Sequence, residues 1–226
     1  MTARPAAGGG RWVEVAPERL AAWVAGFGRR HGAVEEAVIG EVVRLSAADG
    51  AVAECHVPFP PLTEAPLTEA RPYGEGGPVA ALVAHACRER RVGVLLVRLG
   101  GHAAGIFEGE RLVASKVGSR QVHGRSAAGG WSQQRFARRR EKQSSEALQA
   151  AADVAFRVLA PRAADLDAVV LGGDRRAIEE VRGDTRLTGL FALETGPFLT
   201  VPDPRLAVLQ DTPRMFRGVR IRVVDP

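Results

Sequence analysis

The sequence predicts an α/β (α+β) fold with a mixed sheet, and three observations predict it. Strand-like and helix-like segments alternate after an initial meander. The segment "VGVLLVRLG" (92–100) is a nearly continuous apolar run, as a strand buried on both faces requires. Residues 133–159 carry apolar side chains at helical spacing. With 46% hydrophobic and 25% charged residues, the 226-residue chain can bury a core and is not a disordered polymer.

Taken in order, "RWVEVAPERLAAWVAGFGRRHG" (11–32) reads as a strand and then a helix. Pro17 suits the first helical turn, Leu20, Trp23, Val24 and Phe27 share a face, and Gly32 closes the helix. "VIGEVVRLSAADGAVAECHVPF" (38–59) reads as two strands joined at Asp49-Gly50. "PVAALVAHACRER" (78–90) is helical. "VGVLLVRLG", "HAAGIFEG" and "RLVASKVGS" then form three strands, the last two joined at Gly109-Glu110. After a glycine-rich loop comes a helix from about Gln133 to Leu159. "DAVVLGG" (167–173) is a buried strand, "DRRAIEEVR" (174–182) a helix capped by Asp174, and "GVRIRVV" (218–224) a closing strand. This order divides the chain into a flexible tail (1–10), an N-terminal αβ module (11–57), a proline-rich irregular connection (58–78) and a larger domain (79–226) with a mobile loop at about 121–134.

Composition narrows the partners. No apolar run approaches the roughly 20 residues that span a bilayer, so no membrane is expected. The first ten residues lack the apolar centre of a secretory signal, and Cys55 and Cys87 alone make no disulfide framework. A cytoplasmic protein is the simplest reading. Between Lys116 and Lys142 stand eight basic residues and one acidic residue, Glu141. That window carries +7 and the rest of the chain a net −2. So local a patch suits an anionic partner, although a solvated helix face would look similar.

The patch surrounds "GRSAAGGWSQQRFARRREKQ" (124–143). Gly129 and Gly130 allow a sharp turn, and Ser132 is a sound N-cap. Backbone N–H groups at a helix start reached through glycines form an anion site. Arg135 stands in the first turn, where the helix dipole disfavours a cation, and Arg138, Arg139 and Lys142 continue the same side. Arg125 and Arg140 add to the charge. Repulsion among these cations is relieved by a phosphate backbone. Trp131 can stack on a base or fold back onto the domain. Gln133 and Gln134 do not titrate. Each is either surface filler or a group that positions water and stabilises a developing oxyanion.

Gly-Gly followed closely by Gln, before a basic helix in an α/β domain, resembles the catalytic middle domain of archaeal and eukaryotic translation release factors. The stretch "GGWSQQRFARRREKQ", preceded by "SKVGSRQVHGR", is similar to the actinobacterial Vms-like release factors, peptidyl-tRNA hydrolases in that group. The resemblance implies an RNase H-like outline from about residue 78 onward, with 79–226 as the catalytic domain. It implies that Gly129 and Gly130 are the loop glycines and Gln133 the catalytic glutamine. Trp131 is an insertion relative to the pattern, so Gln134 is the alternative to Gln133. The partners implied are the ribosomal large subunit, peptidyl-tRNA and rRNA. Stop-codon recognition is not implied. Two chemistries stay open: water attack on the peptidyl ester, or endonuclease-type cleavage at the tRNA 3′-CCA end.

Other classes find less support. A non-catalytic ribosome- or RNA-binding module would use Trp131 and the arginines without chemistry. An ordinary esterase would need a Gly-x-Ser-x-Gly elbow, which is absent. No cofactor or metal is expected: Cys55-His56 and His85-x-Cys87 form one sparse cluster, and adjacent strand residues point to opposite faces. His123 reads as structural or phosphate-facing, and Gly172-Gly173 as a turn.

Overall fold

A computed structural model describes residues 4–62, 71–74, 76–119 and 132–226, with backbone alone for 132–140. The chain divides into two units. The first combines residues 1–88 with 216–226, and the second is 89–215.

The first unit is built on one antiparallel sheet. Its strands are β1 (Arg4–Pro5), β2 (Arg11–Val15), β3 (Val34–Ile39), β4 (Val42–Ala47), β5 (Val52–His56), β6 (Arg71–Pro72) and β11 (Val219–Val224), in the order β1-β2-β11-β5-β4-β3-β6. Helices α1 (Leu20–His31) and α2 (Pro78–Cys87) share one core with it. The periodicity explains the packing. Leu20, Val24 and Phe27 of α1 meet Val13, Val43, Leu45 and Cys55 from alternate strand positions, all buried. The β4–β5 turn is closed by Asp49, whose Oδ1 accepts from Ala51 N at 3.0 Å, and Gly50 takes φ +95°. The α2 N-terminus opens on Pro78, and the buried Glu36 carboxylate accepts from Val79 N at 2.9 Å. An anionic group suits that end of a helix.

The second unit holds a four-stranded sheet, ordered β10-β7-β8-β9, from β7 (Arg91–Arg98), β8 (Gly101–Glu108), β9 (Arg111–Ser119) and β10 (Ala168–Gly173). β10 runs parallel to β7 while the other pairs are antiparallel, so the sheet is mixed as predicted. One face packs under α3 (Ser132–Leu159) and α4 (Arg175–Arg182). Asp174 caps α4 through Arg176 N at 2.8 Å and Ala177 N at 3.3 Å. Short helices α5 (Thr188–Phe191), α6 (Leu206–Gln210) and α7 (Thr212–Arg217) follow. On the opposite face Leu209 of α6 sits over Gly105, whose missing Cβ would lie 2.9 Å from a leucine methyl.

Several expectations need correction. The segment 218–224 does not close the larger domain: β11 lies between β2 and β5, antiparallel to both. It alternates Val219, Ile221 and Val223 into the first core and Arg220 and Arg222 outward. That is the pattern of a strand with one solvated face. The division after residue 78 moves to 88, because Val79, Leu82 and Ala86 of α2 join the first core. The loose tail pairs from Arg4 onward with β2, and Gly8 O and Gly9 O accept from Arg222 at 2.9 and 3.2 Å. The two strands joined at Asp49-Gly50 are present as β4 and β5, but β3 precedes them in a three-stranded meander, with a tight first turn at Gly40, φ +60°. The loop expected to run to 134 ends by Ser132, where α3 begins.

Ile221 is fully buried in β11, an interior strand of the first unit's sheet. Ile221→Ala is expected to destabilise that unit by about 2–5 kcal/mol. Denaturant unfolding followed through Trp12 and Trp23, in a Trp131→Phe background, checks it. An unchanged midpoint would contradict β11 as a core strand.

Candidate functional site

The candidate site spans the connection from β9 to α3. Arg125, Gly129, Gly130 and Trp131 lie outside the described residues. Gln133, Gln134, Arg135, Arg138, Arg139 and Arg140 lie on the first turns of α3, with backbone described and side chains not. Ser132, the expected cap, is the first residue of that helix. Lys142 is exposed.

The helix is firmly held at its far half. Ala147, Leu148, Ala151, Val154 and Leu159 of the predicted apolar stripe are buried against the sheet, with Val158 partly buried beside them. Ala152 and Ala155 join them. Phe136, also predicted in the stripe, has no described side chain. The alanines let the helix backbone approach β8, where Ala104 and Ile106 face it. At 1.5 Å per residue, α3 is about 42 Å long and Ser132 lies about 22 Å from Ala147. At 3.6 residues per turn, positions 135, 138, 139 and 142 fall on one line, roughly 180° around the helix from the buried line through 151 and 155. Position 140 lies off that line.

Sequence reasoning missed the device that fixes α3 sideways. Arg186 reaches Asp153 Oδ1 at 2.7 Å and Asp184 Oδ2 at 2.6 Å, and its guanidinium lies 5.2 Å from the Phe156 ring centroid. Hydrogen bonding to Arg186 first, then its charge, holds the Asp184 carboxyl down at about 2. Asp153 is shifted down mainly by the same side chain. A lone arginine in "GDTRLTG" carries no sequence signal for this role.

The other end of the connection is also shaped. Gly118, next to last in β9, faces the buried His102 of β8. A Cβ there would collide with the His102 ring, so any larger residue would have to displace the imidazole. Burial, and secondarily the charge of Arg157, pushes the His102 imidazole below its ordinary value and keeps it neutral.

The sparse Cys/His cluster takes up separate duties. Cys55 points into the first core, where burial pushes its thiol up to about 12, while His56 lies on the opposite, exposed face. His85 Nε2 lies 2.8 Å from Pro58 O, and Cys87 is exposed. Among the described residues no three His, Cys, Asp or Glu side chains converge as a metal site. No helix among them is long and apolar enough to cross a membrane.

The sequence from residue 90 to 222 matches the family described as Actinobacteria/chloroflexi VLRF1 release factor. Solved structures with a similar chain course include the archaeal translation termination factor aRF1, at 15% identity over 76% of this chain and 51% of that one, TM-score 0.43. The Vms1 mitochondrial localization core is similar at 9% identity over 93% and 82%, TM-score 0.38. The translation termination-like factor Dom34 of S. cerevisiae is similar at 7% identity over 94% and 66%, TM-score 0.36. The present chain spans about half the length of the archaeal factor. No curated protein matches it.

Arg186→Met is expected to lower Tm at neutral pH by loosening α3. Because Asp184 titrates below its ordinary 3.8, the folded chain binds fewer protons than the unfolded one. This stabilisation is therefore complete above about pH 4 and is lost as pH falls toward 2. The Tm gap between wild type and variant should narrow across that window in a calorimetric pH series. A pH-independent gap would rule out the carboxylate pairing as its source.

Proposed function

Since this chain belongs to the Actinobacteria/chloroflexi VLRF1 release factor family, we propose that it is a peptidyl-tRNA hydrolase acting on stalled ribosomal large subunits. The observation that carries this reading is the sequence Gly129-Gly130-Trp131-Ser132-Gln133 at the head of α3, a helix whose far half is locked into the domain core. A glycine pair brings the backbone close to a crowded ester, and Gln133 positions the attacking water through its carbonyl oxygen. Its amide cannot act as a base, so proton transfer falls to the water and the substrate. A backbone or amide N–H stabilises the oxyanion that develops on the ester carbonyl.

The line of Arg135, Arg138, Arg139 and Lys142 along α3 holds tRNA or rRNA phosphates. Arg125 and Arg140 add attraction, and Trp131 stacks on a base. Such contacts are electrostatic and weaken steeply with salt. The protein works in the cytoplasm, where its ribosomal partner is, and no bound cofactor enters the scheme.

The test is release of a labelled nascent chain from peptidyl-tRNA on isolated large subunits, with the tRNA 3′ end mapped. Gln133→Ala is expected to slow release on the order of a hundredfold or more, while Gln134→Ala keeps most activity and the CCA end stays intact. The opposite ranking would move the catalytic role to Gln134. A shortened CCA end would replace ester hydrolysis with tRNA cleavage, and binding without release would leave only an RNA-binding module.

A further inference from the structure

Among the described residues, α1 and α2 pack on one face of the first unit's sheet. Strand alternation sends a second set of side chains to the other face. At its centre the Trp12 ring of β2 and the His56 ring of β5 meet across β11 with centroids 5.1 Å apart. The Arg220 guanidinium of β11 lies over the Trp12 ring, 4.6 Å from its centroid. Arg220 and His56 are both exposed. Three flat, stackable groups thus adjoin on three neighbouring strands.

The charge around them is mixed. Arg4, Arg44, Arg220 and Arg222 belong to this face by register, against Glu14, Glu35 and Glu54, and the charge of Glu41 also reaches His56. Glu54 is already engaged by Arg222 at 3.2 Å, which also donates to Gly8 O and Gly9 O. The Nε of Arg44 is buried without a partner among the described residues. Burial first, then the nearby Arg220, pushes His56 below its ordinary value, so the ring is neutral near pH 7. A neutral imidazole next to an indole supports stacking without adding positive charge.

We infer that this open face of the first unit binds single-stranded RNA, with an unpaired base stacked on the Trp12–His56–Arg220 group and phosphates held by the flanking arginines. Aromatic and guanidinium planes on a sheet suit splayed-out bases, which duplex RNA does not offer. A protein partner would be expected to find a broader apolar surface here, whereas the central groups are flat and polar-edged. This surface belongs to the first unit, and its existence does not rest on the release chemistry.

Binding of a short, unstructured, fluorescein-labelled pyrimidine RNA to the full chain tests it by anisotropy. The variants are Trp12→Ala, Trp12→Phe and Arg220→Glu, with Arg138→Glu/Arg139→Glu as the α3 comparison. Trp12→Ala should weaken binding about tenfold, and Arg220→Glu should weaken it clearly. Trp12→Phe should stay close to wild type, and a duplex of the same length should bind less well. Wild-type affinity in both Trp12→Ala and Arg220→Glu would overturn the inference. So would equal affinity for the duplex, or a loss confined to the α3 variant. Should Trp12→Ala fail to fold, Arg220→Glu, a change at an exposed side chain, still decides. Peptide release measured in parallel separates this surface from the loop: loss of release in Gln133→Ala with RNA binding intact leaves the inference standing.

Discussion

The second unit depends on how one long helix is held. The small side chains Ala147, Ala151, Ala152 and Ala155 let α3 settle closely on β8, and Leu148 and Leu159 lengthen the seal. Sliding is resisted by the interlocked apolar row, and rolling by Arg186, which ties the helix to the segment after α4 through Asp153 and Asp184. An exposed ion pair is weak alone. Here it acts on a helix whose register is already determined by packing. Everything at the head of α3 takes its direction from that grip, because a continuous helix transmits orientation along its axis.

Both units use absence of a side chain where backbone and functional groups crowd. In the second, Gly105 makes room for Leu209 and Gly118 for His102. In the first, a Cβ on Gly77 would collide with the Glu36 carboxyl, so glycine at that position leaves the carboxylate room at the start of α2. That carboxylate satisfies Val79 N–H at a helix end that lacks another side-chain cap. Close approach, rather than flexibility, explains these glycines.

Local pattern made most elements legible. The α1 stripe, the apolar β7, the Asp174 cap and the extent of α3 all follow from periodicities that act within one element. What stayed hidden was which sheet a strand joins. "GVRIRVV" announces a half-buried strand, yet nothing in its alternation distinguishes the edge of the second sheet from the centre of the first. The missed turn at Gly40 has the same origin: "VIGEVV" is apolar on both sides of its glycine, so the reversal is marked only by that residue's positive φ. At the candidate site, Gly129, Gly130 and Gln133 stand as candidates on their arrangement in sequence alone. Arg186 and His102 were not, because their importance comes from partners 33 residues away and across a strand pair.

The position of β11 has a consequence for how the molecule is made. A ribosome delivers β2, β3, β4 and β5 early, but the strand that must lie between β2 and β5 follows more than a hundred residues of the second unit. Until then β2 and β5 present unpaired edges, open to wrong pairing with each other or with another chain. The second unit, continuous in sequence, can close on its own as it emerges. Synthesis order and folding order are therefore crossed: the unit begun first is completed last, and premature arrest anywhere before residue 219 leaves its sheet without a centre.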